Sequence, residues 1–177
     1  MTTQGTPLRT PPRTLDYDTF MARFGGVYEH SPWIAERLWQ SGIDERHDTV
    51  EAVASDMAEV LLAAHDDDKL KLLRAHPELA GKAAVRNELT AESTGEQAGA
   101  GLDQCTPEEY QRFITLNGEY NRRFGFPFIM AVRGYHRTEI LAAFEQRVNN
   151  DYDTEFATAV DQVNRIARLR LHALAAE

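Results

Sequence analysis

Along nearly all of this chain the apolar residues recur three or four positions apart, and the strict alternation of a half-buried strand is almost absent. That period keeps one face of an α-helix against a core, so it leaves little room for any other kind of element. The breaks agree with it. Asp16 is placed to cap a helix carrying Tyr17, Phe20, Met21 and Phe24, closed by Gly25-Gly26. Ser31-Pro32 offers a cap and a first-turn proline before Trp33, Ile34 and Leu38. Asp48 with Glu51 opens a helix striped by Val50, Val53, Met57, Val60 and Leu61. A short helix from Lys69 must stop at His76, because Pro77 follows. Thr106-Pro107-Glu108-Glu109 is a capping box, and its stripe of Tyr110, Phe113, Ile114, Asn117, Tyr120 and Phe124 ends at Gly125. Two further helices are predicted, from Thr138 to Val148 and from Thr154 to Leu174. Only Phe126 to Val132 resembles a strand, and one strand without a partner makes no sheet. The expected fold is therefore all-α. It is a single-domain helical bundle over 15–177, with two irregular segments, 77–97 and 126–137, as the place for an active site. Residues 1–14, rich in Thr, Pro and Arg, read as a disordered tail.

At 177 residues the chain is long enough to bury a core. Its formal net charge of −9 speaks against a nucleic-acid partner, since phosphate contacts need a local surplus of Lys and Arg. No apolar stretch suits a secretory signal or a membrane span, and the final Leu-Ala-Ala-Glu is no peroxisomal address, so the cytoplasm is the expected compartment. The single cysteine, Cys105, permits no intrachain disulfide; it precedes a helix start, which would lower its pKa. A small molecule is the natural partner. If that ligand is anionic, a positive group must wait for it.

Three places can carry chemistry. His76, at a helix end and locked by Pro77, is held at a rigid corner where the helix dipole favours its protonated ring. The same position equally suits a histidine that only caps the last carbonyls. Ser93 and Glu96 have capping-box spacing within Ser93-Thr94-Gly95-Glu96-Gln97, and the N–H groups of a helix start also bind anions. On the last helix Phe156, Ala159, Val160, Val163, Ile166, Ala167, Leu171 and Leu174 share one arc. Arg165 and Arg168 fall outside that arc and Arg170 inside it, where a guanidinium needs an anionic partner: a carboxylate of the chain or a ligand. The adjacent pairs His47-Asp48 and His65-Asp66 raise a metal-dependent hydrolase as a rival, against which Asp48 reads as a helix cap. A helical binding or adaptor protein is a second rival.

The ordered set Tyr28-Glu29-His30-Ser31-Pro32-Trp33, His76-Pro77-Glu78-Leu79-Ala80-Gly81, Leu89 to Gln97, Ala100 to Asp103, Phe124 to Phe128 and Ile166 to Leu171 resembles the 2-oxo-4-hydroxy-4-carboxy-5-ureidoimidazoline (OHCU) decarboxylases. The resemblance spans residues 16 to 174. It implies an all-α homodimer without metal or organic cofactor, decarboxylating OHCU to (S)-allantoin in urate breakdown. Carried over position by position, it puts the acid/base histidine at His76 beside Pro77, and the essential arginine at Arg170. It puts the substrate loop at Ser93, Thr94, Gly95, Glu96 and Gln97, with Glu96 catalytic. A backbone-lined ligand segment falls on Phe128, Ile129, Met130, Ala131 and Val132.

Overall fold

The computed structural model describes residues 4–81 and 89–177; residues 82–88 of the first expected irregular segment, and 1–3 of the expected tail, lie outside them. Among the described residues there are eight α-helices, three short 3-10 turns and no strand. They group into two compact units, 1–75 with 164–177, and 76–163. No helix among the described residues is long and apolar enough to cross a membrane.

The first unit contains α1 (Tyr17–Phe24), α2 (Trp33–Ser41), α3 (Val50–Ala63), α4 (Asp66–Ala75) and the C-terminal part of α8 (Tyr152–Ala175). Asp16 caps α1, taking the Thr19 N–H at 2.8 Å. α1 packs on α2 and α2 on α3, burying Phe20, Phe24, Ile34, Leu38, Val50, Val53, Met57 and Leu61. Three expectations change here. Thr49, not Asp48, caps α3, because its backbone is extended and its hydroxyl takes the Ala52 N–H; Asp48 ends a 3-10 turn and pairs with Arg13 at 2.8 Å. Ser31 caps nothing, since its hydroxyl donates to the Glu29 carbonyl. The described part of the expected disordered tail, residues 4–14, is docked: Pro7 bridges Thr49, Leu8 donates its N–H to the Asp48 carbonyl and is buried, and Thr6 bonds to Glu51. Composition pointed to disorder, but two buried apolar side chains, Leu8 and Pro12, and several satisfied backbone groups are enough to seat so short a stretch.

The second unit contains α5 (Ala91–Gly99), α6 (Pro107–Phe124), α7 (Arg137–Arg147) and the N-terminal part of α8. The expected capping box of α6 is present in both directions, Glu109 N–H to Thr106 Oγ1 at 3.1 Å and Thr106 N–H to Glu109 Oε1 at 2.9 Å. Gly125, at φ 76°, turns the chain out of α6, where a side chain would be strained. The following run has Phe126, Phe128, Ile129, Ala131 and Val132 all buried, so it lacks the alternating solvent side of a half-buried strand. The Phe128 ring stacks on Phe144 at 3.9 Å, and Tyr120 meets Phe126, Phe128 and Phe144 edge-on at 5.6–5.9 Å.

Candidate active site

His76 directly follows α4, as its proline neighbour requires, and is 8% exposed. The chain then turns sharply, with Ala80 in the left-handed region at φ 50°. A Cβ on Gly81 would meet the Glu78 Cβ at 2.7 Å, so only glycine fits there without displacement. Side chains hold this corner. Asn117 Nδ2 donates to the Leu79 carbonyl at 3.0 Å and Asn121 Nδ2 to Glu78 Oε1 at 2.8 Å. Gln97 Oε1 accepts the Ala80 N–H at 3.1 Å, while its Nε2 donates to the Glu78 carbonyl at 3.4 Å. A left-handed alanine costs about 1–2 kcal/mol by itself, and these bonds offset that cost.

α5 starts one turn earlier than the Ser93–Glu96 spacing predicts. Thr90 is the cap, accepting the Ser93 N–H at 3.2 Å, so Ser93 lies inside the first turn and α5 fills the end of the expected irregular segment 77–97. Thr90-x-x-Ser93 competes with Ser93-x-x-Glu96, and the earlier cap prevails because Ala91 and Glu92 extend the helix readily. The helical period then sorts the substrate loop. Ser93 and Gln97 are buried on one face with Glu96 half-buried beside them, whereas Thr94 and Gly95 are exposed. The Thr94 hydroxyl is bonded to the Thr90 carbonyl.

The second unit thus brings two predicted motifs together, through Gln97, and α6 backs a third. Asn117 and Asn121 grip the His76–Gly81 corner from this helix, and Tyr120 packs on Phe128 of the segment 128–132. Within that segment only Met130 is not buried.

Arg170 lies in the first unit and is buried as its place on the arc predicts, while Arg165 and Arg168 are exposed. Its Nη1 pairs with Glu29 Oε2 at 2.8 Å and donates to the Val27 carbonyl at 3.3 Å. The carboxylate alternative is therefore realised. It also gives the motif around Tyr28 to Trp33 a fixed point in Glu29, which is 1% exposed.

The groups that suggested a metal are engaged otherwise: His47 Nε2 is 2.8 Å from Asp56 Oδ2 and its Nδ1 takes the Asp44 N–H, while His65 is exposed. The Cys105 thiol is raised in pKa, not lowered, because burial and then Glu109 outweigh Arg137; its Sγ donates to the Leu102 carbonyl.

Sequence reasoning overlooked a buried cluster in the second unit. Glu155, fully buried, takes hydrogen bonds from the Tyr120 hydroxyl at 2.6 Å, Arg147 Nε at 3.0 Å and Asn150 at 3.0 Å. Burial first, and then the Glu155 carboxylate, push the Tyr120 phenol well above its ordinary range. Glu155 falls four residues before Ala159 on the arc that marked Arg170, so the same reasoning could have found it.

Residues 13–172 match the OHCU decarboxylase family. A Haloferax volcanii 2-oxo-4-hydroxy-4-carboxy-5-ureidoimidazoline decarboxylase is 45% identical over 157 residues, covering 89% of each chain. The Amia calva protein of the same description is 35% identical over 158 residues, again 89% of each. Among solved structures, an (S)-allantoin synthase superposes with TM-score 0.72 at 32% identity over 92% of this chain, which spans 52% of that one. An OHCU decarboxylase crystallised in the presence of (S)-allantoin, 21% identical and with TM-score 0.69 over 92% of this chain and all of its own, shares the fold.

Proposed function

The chain belongs to the OHCU decarboxylase family, and on that premise we propose that it converts OHCU to (S)-allantoin in urate degradation, with no metal or organic cofactor and with His76 as the acid/base group. The observation that carries the reading is the tie between two family motifs: Gln97 of the Ser93–Gln97 loop hydrogen-bonds the backbone of the His76–Gly81 corner on both sides.

The substrate supplies its own electron sink. One ring carbon carries the carboxylate and a hydroxyl, and its neighbour is doubly bonded to nitrogen. As CO₂ leaves, the freed electron pair forms a new bond to that neighbour, and the nitrogen takes up the displaced pair. Protonation of that nitrogen and of the neighbouring carbon, with loss of the hydroxyl proton, then yields the carbonyl and the single stereocentre of allantoin, one proton being taken up for each CO₂ released. His76 would move a proton at the hydroxyl or at the developing carbanion, a role worth about 10²–10⁴ in rate. Glu96, half-buried on the face it shares with Ser93 and Gln97, would orient the ring or the imidazole. Ser93, Pro77 and the backbone of 128–132 would contact the substrate. The role of Arg170, receiving an anionic group, rests on the resemblance alone. Gln97 holds the corner with one lone pair and one N–H, and its second N–H would grip the ureido group. Thr94 and Gly95, exposed, would serve through backbone position. The family resemblance further supports a homodimer acting on a small anionic substrate.

The test generates OHCU from urate with a uricase and a hydroxyisourate hydrolase, adds the protein, and follows OHCU absorbance and allantoin circular dichroism. Fast decay to one enantiomer, unaffected by chelator and slowed about 10²–10⁴-fold in His76→Ala, is expected. Decay at the spontaneous rate to racemic allantoin would sink the reading.

A further inference from the structure

We infer that Arg147 and Gln162 are positioning residues whose joint grip on the chain turns the backbone N–H and C=O of Met130 toward the substrate as a two-point receptor for its urea-like groups. This deepens the functional reading and rests on it, because it takes 128–132 as the ligand-facing segment.

The geometry is that of two neighbouring peptide planes. Arg147 Nη1 donates to the Ile129 carbonyl at 2.8 Å. Gln162 Oε1 accepts the Ala131 N–H at 3.0 Å. No described peptide is cis, and in a planar trans peptide the C=O and N–H point in opposite directions. Holding the Ile129 carbonyl on one side therefore aims the Met130 N–H to the other. Holding the Ala131 N–H does the same for the Met130 carbonyl. Neither Met130 group hydrogen-bonds another described residue, and Met130 is the one residue of the five with solvent access. A donor and an acceptor on one residue match the N–H and C=O of a ureido group.

The grip is stiff. Arg147 lies 4.4 Å over the Phe128 ring and pairs through Nε with the fully buried Glu155. Further along, the Val132 carbonyl is taken by the Tyr135 N–H. Gln162 is half-buried, so its replacement tests the grip without emptying the core.

Amide NMR of the wild type titrated with (S)-allantoin should move the Met130 resonance among the most strongly shifted. Gln162→Leu, which cannot accept the Ala131 N–H, should raise KM for OHCU and weaken (S)-allantoin binding about tenfold, with kcat within about twofold and the melting temperature lowered by only about 2–8 °C. Gln162→Glu, which can accept it, should recover binding in part. Wild-type turnover with a Met130 amide unmoved by (S)-allantoin overturns the inference alone, as does Gln162→Leu binding like wild type. If the wild type neither consumes OHCU nor binds (S)-allantoin, the functional reading fails and takes the inference with it.

Discussion

Glu155 and Arg147 carry opposite charges where water hardly reaches, and each is tolerable only because the other is present. Tyr120 donates to the oxygen that Arg147 Nε bonds, and Asn150 to the other. Removing one member strands the other charge, so Glu155→Ala is expected to lower unfolding stability by about 3–5 kcal/mol, read from urea denaturation. Glu155→Gln, which keeps a hydrogen-bonding group, should cost less. This pair also marks how far single residues were legible. Arg170 stood out because a guanidinium in the second half of an apolar arc has no local excuse. Glu155 sits in the first turn of α8, where an acid is ordinarily explained by the helix dipole. That ready explanation hid its burial. Gln97 was legible as a site residue but not as a clamp, because its partners lie 17 and 19 residues away in sequence.

Elements were read best where local signals agreed. Thr106, Pro107 and Glu109 all point to one start for α6, and the structure has it there. They were read least well where two signals overlapped, as at Thr90 and Ser93, or where an element is defined only by what surrounds it. The run after Gly125 is such a case: its Ile129 carbonyl and Ala131 N–H are held by side chains from α7 and α8, which no local pattern announces. The corner at His76 is equally dependent on its surroundings, and it gives a prediction at this scale. Gly81→Ala forces a Cβ against Glu78, so the His76–Gly81 corner must shift by a sizeable fraction of an ångström. Turnover is expected to fall about 10–100-fold, in line with the cost of small misplacements near a reacting group. The α6 capping box is not involved, and the helical circular dichroism should be unchanged. Wild-type kcat in Gly81→Ala would show that the corner does not set the histidine's position.

For the molecule as a whole, the carboxylates that are tied down decide its behaviour in acid. Asp56 is held below its ordinary range, first by the Arg46 hydrogen bond and then by His47. Glu109 is lowered by the Thr106 N–H and Arg137, Asp16 by the Thr19 hydroxyl and then its N–H, and Asp151 by the Thr154 N–H and then its hydroxyl. A depressed folded pKa contributes stability above the unfolded value, and that contribution disappears as the pH falls through the folded one. The urea midpoint should therefore be flat above about pH 5 and drop below about pH 4, less steeply in Asp56→Asn. An unchanged slope in that variant would remove Asp56 from the account. The lone thiol adds a different consequence. Cys105, partly covered and kept in its protonated form, presents little thiolate to an alkylating reagent while the chain is folded. Each opening of its surroundings restores ordinary reactivity. The rate at which the native protein is labelled is thus a clock for the breathing of the chain just ahead of α6, built in by nature and needing no engineered probe.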